Sequence, residues 1–500
     1  MTPLRRAALI PLTALCSVSL LLVPAPASAI PGGTAVPTAT DAALAGKLGT
    51  VMADSRVKKA TVGAVVVDAA TNRTQYRTSP NTAITPASNM KLVVAAAALD
   101  ILGADRTFST GVYAASEPSS SGTVKRLYLR GFGDPTLQRS DLVALAKQVK
   151  AAGVKTVTGS VVGDGTFYDN DRYNDYWDSR DYNWSYAPQI SALTMAPSSA
   201  LKVGTILVNY GPGSAKGKKA SLSVTPALAD SFVKLVNKTT TGKAGSSSWI
   251  SVRRTSGTNT LTVTGSIALK RSKGSTTVTI NNPAAYVAHV FTRELRALGV
   301  AVKGSPITGA TPSKRVKLAG DTSAPLSTVV KYLLKPSNNG IAEHLIKWLG
   351  RREGTAGTWK AGASRVLRWL KGTQSVPGSV TIVDGSGLAH RNKLTARVVV
   401  RLLQYAREQV WFGTFYNALP VAGNADPAVG GTLTDRMVGT AAQNNLRAKT
   451  GTLSGVTALS GYVTGRNGRL YIFSLLGRYS GSTPRPVFDK FGATLAAWKG

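Results

Sequence analysis

Cysteine is nearly missing from this chain. The single one, Cys16, falls in a segment with the build of a secretory leader: Arg5 and Arg6, the apolar run Ala7 to Val23, then the small residues Ala27, Ser28 and Ala29. Cleavage after Ala29 leaves no thiol, which excludes disulfides and thiol chemistry from the mature chain. Bulky Leu15 ahead of Cys16, with apolar residues continuing past it, argues against lipid attachment there. No later run reaches the ~18 apolar residues that a membrane-spanning helix needs. The expectation is an exported, extracytoplasmic, wall-associated protein with no transmembrane anchor in the mature chain.

Acids are scarce as well. Asp and Glu number 24 against 60 Lys and Arg, for a formal net charge of +36; Arg5 and Arg6 carry two of these, which leaves +34 after cleavage. Such an excess commonly marks nucleic-acid binding. An exported protein rarely meets nucleic acid, so an anionic envelope polymer fits better as a partner, and plain solubility through charge repulsion is the bland alternative.

Histidine is the third shortage. There are three, His289, His344 and His390. His289 falls mid-helix, His344 follows Glu343 in a helical pattern and reads as structural, and His390 follows Asp384-Gly-Ser-Gly-Leu and is placed to line a cleft. Neither an H-E-x-x-H metal signature nor a G-x-S-x-G nucleophile elbow occurs. No metal or cofactor is expected.

About 470 mature residues suggest roughly three domains. Thr61 to Ser79 alternates with a turn at Thr71-Asn72 and reads as two antiparallel strands. A helix follows, with Thr85 as cap, Pro86 at its first position and Gly103 as its stop. From about Gly111 to Ser305, short alternating segments separated by Gly/Ser/Lys-rich turns read as mostly β, with an amphipathic helix over Asn282 to Val300. Helical patterns return from about Pro325. Leu446 to Tyr479 reads as three strands, followed by a last helix. Two strands near one end and three near the other suggest one sheet, with the middle as an insertion.

Three short motifs stand in order. Ser88-x-x-Lys91 opens the apolar helix, where a spacing of three puts both side chains on one face. Ser337-x-Asn339 sits at a helix boundary. Lys449-Thr-Gly-Thr452 opens a strand, 112 residues after Ser337. Each alone occurs readily by chance. Acyl transfer needs a nucleophile with a base in reach. With histidine so rare, a lysine can serve if burial and a second cation lower its pKa. Ser88 would then attack, with Lys91 as base and Lys449 as second cation. The helix start adds partial positive charge, and the Ser88 N–H can stabilise an oxyanion.

Together the motifs resemble the penicillin-binding protein and serine β-lactamase superfamily. Gly131 to Leu137, Tyr186 to Leu193, Asn282 to Tyr286, Ser337 to Leu345, Asp384 to Leu388 and Ala448 to Val456 resemble one branch. It is the low-molecular-mass class C penicillin-binding proteins, the D-alanyl-D-alanine carboxypeptidase/endopeptidases. The 249 residues between Ser88 and Ser337 are similar to the extra domains of that branch. The resemblance implies an α/β (α+β) fold: a β-lactamase/transpeptidase-like domain with a five-stranded antiparallel sheet flanked by helices, plus two inserted, mostly β domains. Residues 30–105 and 322–500 would form the catalytic domain, 106–135 and 285–321 the first insert, and 136–284 a second insert nested in it.

The same resemblance implies an acyl-enzyme on Ser88, peptidoglycan stem peptides as substrate and β-lactam antibiotics as inhibitors. The Thr452 N–H becomes a second oxyanion donor. Ser337 relays a proton to the leaving amine, and Asn339 orients the substrate amide. Lys449, Thr450, Gly451 and Thr452 hold the terminal carboxylate. Asp164 matches an acidic position that in some relatives holds the amino end of a stem diamino acid. A turn aspartate fits it equally. The aromatic stretch Tyr168 to Tyr186 is either a glycan-binding face or a loop packed over the cleft. Where relatives carry Ser-Arg after Asp384-Gly-Ser-Gly-Leu, this chain has Ala389-His390. A β-lactamase would need a deacylating glutamate in an E-x-x-L-N loop, and none of the five glutamates starts one. A catalytically inactive wall-binding protein is the remaining alternative.

Overall fold

The computed structural model describes residues 39–351 and 356–500; the expected leader lies outside them. Among the described residues no helix is long and apolar enough to cross a membrane.

One five-stranded sheet joins the two ends of the described chain. Its order is Arg447–Leu453, Val456–Thr464, Leu470–Tyr479, Ala60–Asp68 and Thr74–Thr78. Every neighbouring pair is antiparallel. The seam between the ends runs from Ala60 opposite Tyr479 to Asp68 opposite Tyr471. This is the sheet the alternating segments predict, and strand alternation explains its two covered faces. Val62, Ala64, Val66, Leu459, Phe473 and Leu475 enter a core shared with helices Ala39–Met52 and Arg485–Ala496. Val65, Val67, Ala458, Ile472 and Leu476 enter the opposite core with helices Met90–Leu102, Leu326–Leu334, Asn339–Arg351 and Ala396–Arg407.

The middle of the chain builds a second five-stranded sheet of mixed direction. Its order is Ile307–Thr308, Val161–Asp164, Leu127–Gly131, Ser109–Ala114 and Val316–Thr322. Val161–Asp164 pairs in parallel with Leu127–Gly131, and helix Arg139–Ala151 packs on Pro283–Ala297 and on Val316–Thr322. Hydrogen bonding and packing therefore run through the boundary expected at residue 136. The all-β part begins beyond Asp164 and holds two three-stranded sheets. A single apolar cluster reaches from Val112 and Leu129 to Ile206 and Val263, across both inserted parts.

Candidate active site

A short 3-10 turn, Ala87–Asn89, leads into helix Met90–Leu102. Thr85 does not cap it. Its hydroxyl instead donates to the His390 carbonyl at 2.9 Å and accepts from the Lys393 amine at 2.8 Å. Gly103 ends the helix with φ +85°, the left-handed region that glycine enters without strain. Every residue from Met90 to Leu99 is buried, as expected of a helix apolar on all sides. Lys91 is among them, with no exposed surface.

The Lys91 amine donates to Ser88 Oγ at 2.8 Å and to the Ser386 carbonyl at 2.8 Å. Burial lowers its pKa to about 7, against the pull of the Glu343 and Asp384 carboxylates. Burial, rather than a second cation, thus depresses Lys91.

Lys449 lies on the sheet's edge strand. It is fully buried, and its amine donates to the Thr450 carbonyl at 2.9 Å. Burial first, then the nearby Lys91 charge, holds its pKa well below the usual lysine range. Gly451 explains how the strand comes so close: a Cβ there would lie 2.8 Å from the Pro86 carbonyl oxygen and 3.2 Å from Ala87 Cβ. By strand alternation Lys449 shares that face, so the first and third motifs meet. Leu453 and Val456 close a hairpin over Ser454-Gly455. Thr452 is then a non-hydrogen-bonded position whose N–H faces the open edge. Ala448 has the same parity, and its N–H indeed leaves the sheet, for the Pro420 carbonyl at 3.0 Å. Thr450 Oγ1 donates to Thr432 Oγ1 at 2.8 Å.

Ser337 and Asn339 sit where helices Leu326–Leu334 and Asn339–Arg351 meet. Ser337 has φ +62°, a conformation costly for a residue with a Cβ and typical of sites held by their surroundings. Asn339 Nδ2 donates to the Tyr186 carbonyl at 2.7 Å. Ser88, Asn339 and Thr452 line one cleft of about 790 Å³, with His390 and the loop Tyr176 to Tyr186 as its other walls. That loop resolves the reading of the aromatic stretch in part. Tyr168 and Trp177 are buried packing residues, whereas Tyr176, Trp184 and Tyr186 are exposed. His344 is buried among the core and lowered to about 3 by desolvation, so it is neutral and structural. His289 Nε2 lies 3.2 Å from Ser231 Oγ, outside the cleft lining.

Asp164 is not brought into the cleft lining. It ends a strand of the inserted sheet, fully buried. Oδ1 accepts from the Thr166 N–H at 2.8 Å and the Thr166 hydroxyl at 2.6 Å; Oδ2 accepts from the Thr311 N–H at 2.8 Å and faces Arg130 Nε at 3.5 Å. The two Thr166 contacts are those of a turn aspartate, while Thr311 and Arg130 reach it from segments distant in sequence.

Sequence reasoning missed what holds Lys91 in place. Glu343 is buried, and Oε1 accepts from the Ser386 N–H at 2.7 Å. Oε2 accepts from the Gly385 N–H at 3.1 Å and from Trp359 Nε1 at 2.6 Å. Asp384 accepts from the N–H groups of Gly387 and Ala389, from Trp177 Nε1 and from Asn392 Nδ2, at 2.7 to 2.9 Å. Burial raises the pKa of both carboxyls. The available signal was two acids amid apolar residues in an acid-poor chain. Gly387 closes the turn with φ +81°, and a Cβ on it would lie 1.8 Å from the Ala87 carbonyl oxygen. Gly387→Ala is therefore expected to cost about 2 kcal/mol or more and to lower the melting temperature by roughly 2–6 °C. An unchanged calorimetric transition would contradict that close approach.

The sequence profile of the "D-Ala-D-Ala carboxypeptidase 3 (S13) family" matches residues 44–495. A D-alanyl-D-alanine carboxypeptidase from Actinomadura sp. (strain R39) is 42% identical, over 90% of this chain and 84% of its own. The D-alanyl-D-alanine carboxypeptidase DacB of Haemophilus influenzae is 24% identical, over 77% of this chain and 79% of its own. The crystal structure of penicillin binding protein 4 (dacB) from Haemophilus influenzae superposes with a TM-score of 0.76 at 22% identity, covering 90% of this chain and 98% of that one. The same protein, complexed with a β-lactam, gives 0.71 at 22% identity, with the same coverage.

Proposed function

The chain belongs to the D-Ala-D-Ala carboxypeptidase 3 (S13) family and is a serine D-Ala-D-Ala carboxypeptidase, and from that premise we propose that it is exported, cuts peptidoglycan stem peptides through an acyl-enzyme on Ser88, and is inhibited by penicillins. The observation that carries this reading is the 2.8 Å hydrogen bond between the buried Lys91 amine and Ser88 Oγ. With its pKa near 7, much of Lys91 is neutral at physiological pH and can take the Ser88 proton. Ser88 then attacks the carbonyl of the penultimate D-alanine. The Ser88 and Thr452 N–H groups stabilise the oxyanion. Ser337 passes a proton to the departing amine, Asn339 orients the peptide, and water hydrolyses the ester.

Lys449, Thr450 and Thr452 receive the terminal carboxylate. The arriving carboxylate gives the desolvated Lys449 a counter-charge, which favours its protonated form. Gly451 contributes through its missing side chain. Asp164 is left out of this scheme. The β-lactamase alternative needs a carboxylate free to activate a deacylating water. The two on the cleft wall are engaged elsewhere, Asp178 with Arg180 and Asp181 with the Tyr186 hydroxyl.

The test is labelling by a fluorescent penicillin, read on a denaturing gel across pH. A stable covalent band is expected. Its rate of formation should rise about tenfold per pH unit below about 7 and level off above, because only the neutral amine accepts a proton. Rapid drug turnover would favour the β-lactamase, no label the inactive wall-binding protein, and a flat profile from pH 5 to 9 would remove Lys91 as the base.

A further inference from the structure

We propose that the outer tip of the inserted β-region is a docking surface for a phosphodiester-linked polyanion of the cell wall. Residues 201–281 hold nine lysines and three arginines against one acid, Asp230. That acid lies 3.6 Å from Arg293. Three loops gather the cations: 212–220 with Lys216, Lys218 and Lys219; 243–246 with Lys243; and 269–273 with Lys270, Arg271 and Lys273. All seven are exposed. No carboxylate pairs with any of them among the described residues.

The loops form one tip. The Thr241 N–H donates to the Lys218 carbonyl at 2.7 Å, the Gly217 N–H to the Thr241 carbonyl at 2.8 Å, and the Leu269 N–H to the Gly242 carbonyl at 3.0 Å. A Cβ on Gly211 would lie 3.1 Å from Lys273 Cγ. So many like charges at one place repel each other, and the described residues offer them no counter-charge.

The chemistry of the tip selects the occupant. Six of the seven cations are lysines, compact point charges suited to phosphate rather than planar forks. The loops themselves hold no aromatic side chain; the exposed Trp249 stands beside them at the start of the strand that follows, one ring rather than the succession of stacking platforms that single-strand binders use. They also present no apolar face of the kind that seats a protein in a lipid interface. A flexible, hydrophilic, phosphate-bearing chain remains.

The tip is also set apart from the cleft. Strand Gly274–Thr279 starts at the 269–273 loop and spans ~17 Å at about 3.3 Å per residue. At its far end Thr279 Oγ1 donates to the Tyr182 carbonyl, and nearby the Arg254 N–H donates to Asn183 Oδ1 at 2.8 Å. One end of the sheet thus supports the cleft wall, while the other carries the cations. A polymer held at the tip leaves the cleft open.

The wall setting rests on the proposed function, but binding and acylation are read separately. The probe is synthetic poly(glycerol phosphate), titrated against the full-length mature protein over a salt series. The variant K216Q/K218Q/K219Q/K270Q/K273Q is expected to bind at least tenfold more weakly, with a log K against log[salt] slope shallower by roughly 3–4. Its penicillin-labelling rate should stay unchanged, which also reports a folded protein. A control with five exposed lysines changed elsewhere, K58Q/K125Q/K303Q/K314Q/K371Q, should keep most of the affinity. Equal losses in both variants, or no loss in the first, would overturn the proposal. So would equally tight binding to polyglutamate or to anionic phospholipid vesicles. Failure of the wild type to take penicillin would strike the proposed reaction and leave the binding result standing.

Discussion

Ser88→Ala is expected to take no covalent penicillin label and to release D-alanine at least ~10⁴-fold more slowly than the wild type. Removing the nucleophile of a hydroxyl–base unit abolishes the covalent route, leaving only binding and oxyanion stabilisation. Ser88 sits in a short turn with no large packing role, so the variant should melt close to the wild type. Mass spectrometry of the labelled wild-type protein provides the second arm, because the acylated peptide must contain Ser88. Label retained in the alanine variant would assign the nucleophile elsewhere and end the mechanism.

The second large effect concerns Glu343. Glu343→Ala leaves the N–H groups of Gly385, Ser386 and Trp359 without their acceptor and opens a cavity. Each orphaned buried donor costs about 1–3 kcal/mol, so a loss of roughly 3–5 kcal/mol in denaturant unfolding is expected. Penicillin acylation should slow by about 10²-fold, because the Ser386 carbonyl that accepts from Lys91 is no longer fixed. Glu343→Gln keeps the shape and removes the charge. The Glu343 carboxylate raises the Lys91 pKa; without it that pKa falls, so the rising limb of the labelling profile should move to lower pH. A limb that stays at about 7 in Glu343→Gln, alongside the same stability loss in both variants, would reduce Glu343 to scaffolding.

What the sequence made legible was what lies close along the chain. Ser88 and Lys91 are one helical turn apart, so their contact follows from helix geometry. Lys449 and Gly451 share a strand face, and the terminal strands announce themselves by alternation. What stayed hidden depends on segments far apart in sequence. Thr85 finds better partners in His390 and Lys393 than in its own helix. Asp164 looks like a free carboxylate until Thr311, 147 residues on, donates to it. Glu343 reads as an ordinary helix residue because its partners, Trp359 on the next helix and Gly385 and Ser386 in a later loop, lie 16 to 43 residues away. Parallel pairing of Val161–Asp164 with Leu127–Gly131 likewise joins segments on the two sides of residue 136, separated by a helix. Of the two causes expected for the Lys91 shift, burial acts and the second cation does not, because a cation can be counted in a sequence whereas its distance needs the packed core.

The seam between Ala60–Asp68 and Leu470–Tyr479 joins residues 403 to 419 positions apart. Lys449 and Thr452 belong to the late-synthesised side of that seam, Ser88 and Lys91 to the early side. A partly synthesised polypeptide therefore carries the serine long before it carries its counterpart strand. Loop closure over such a distance is slow, so competence to cut arrives last, when nearly the whole chain has emerged.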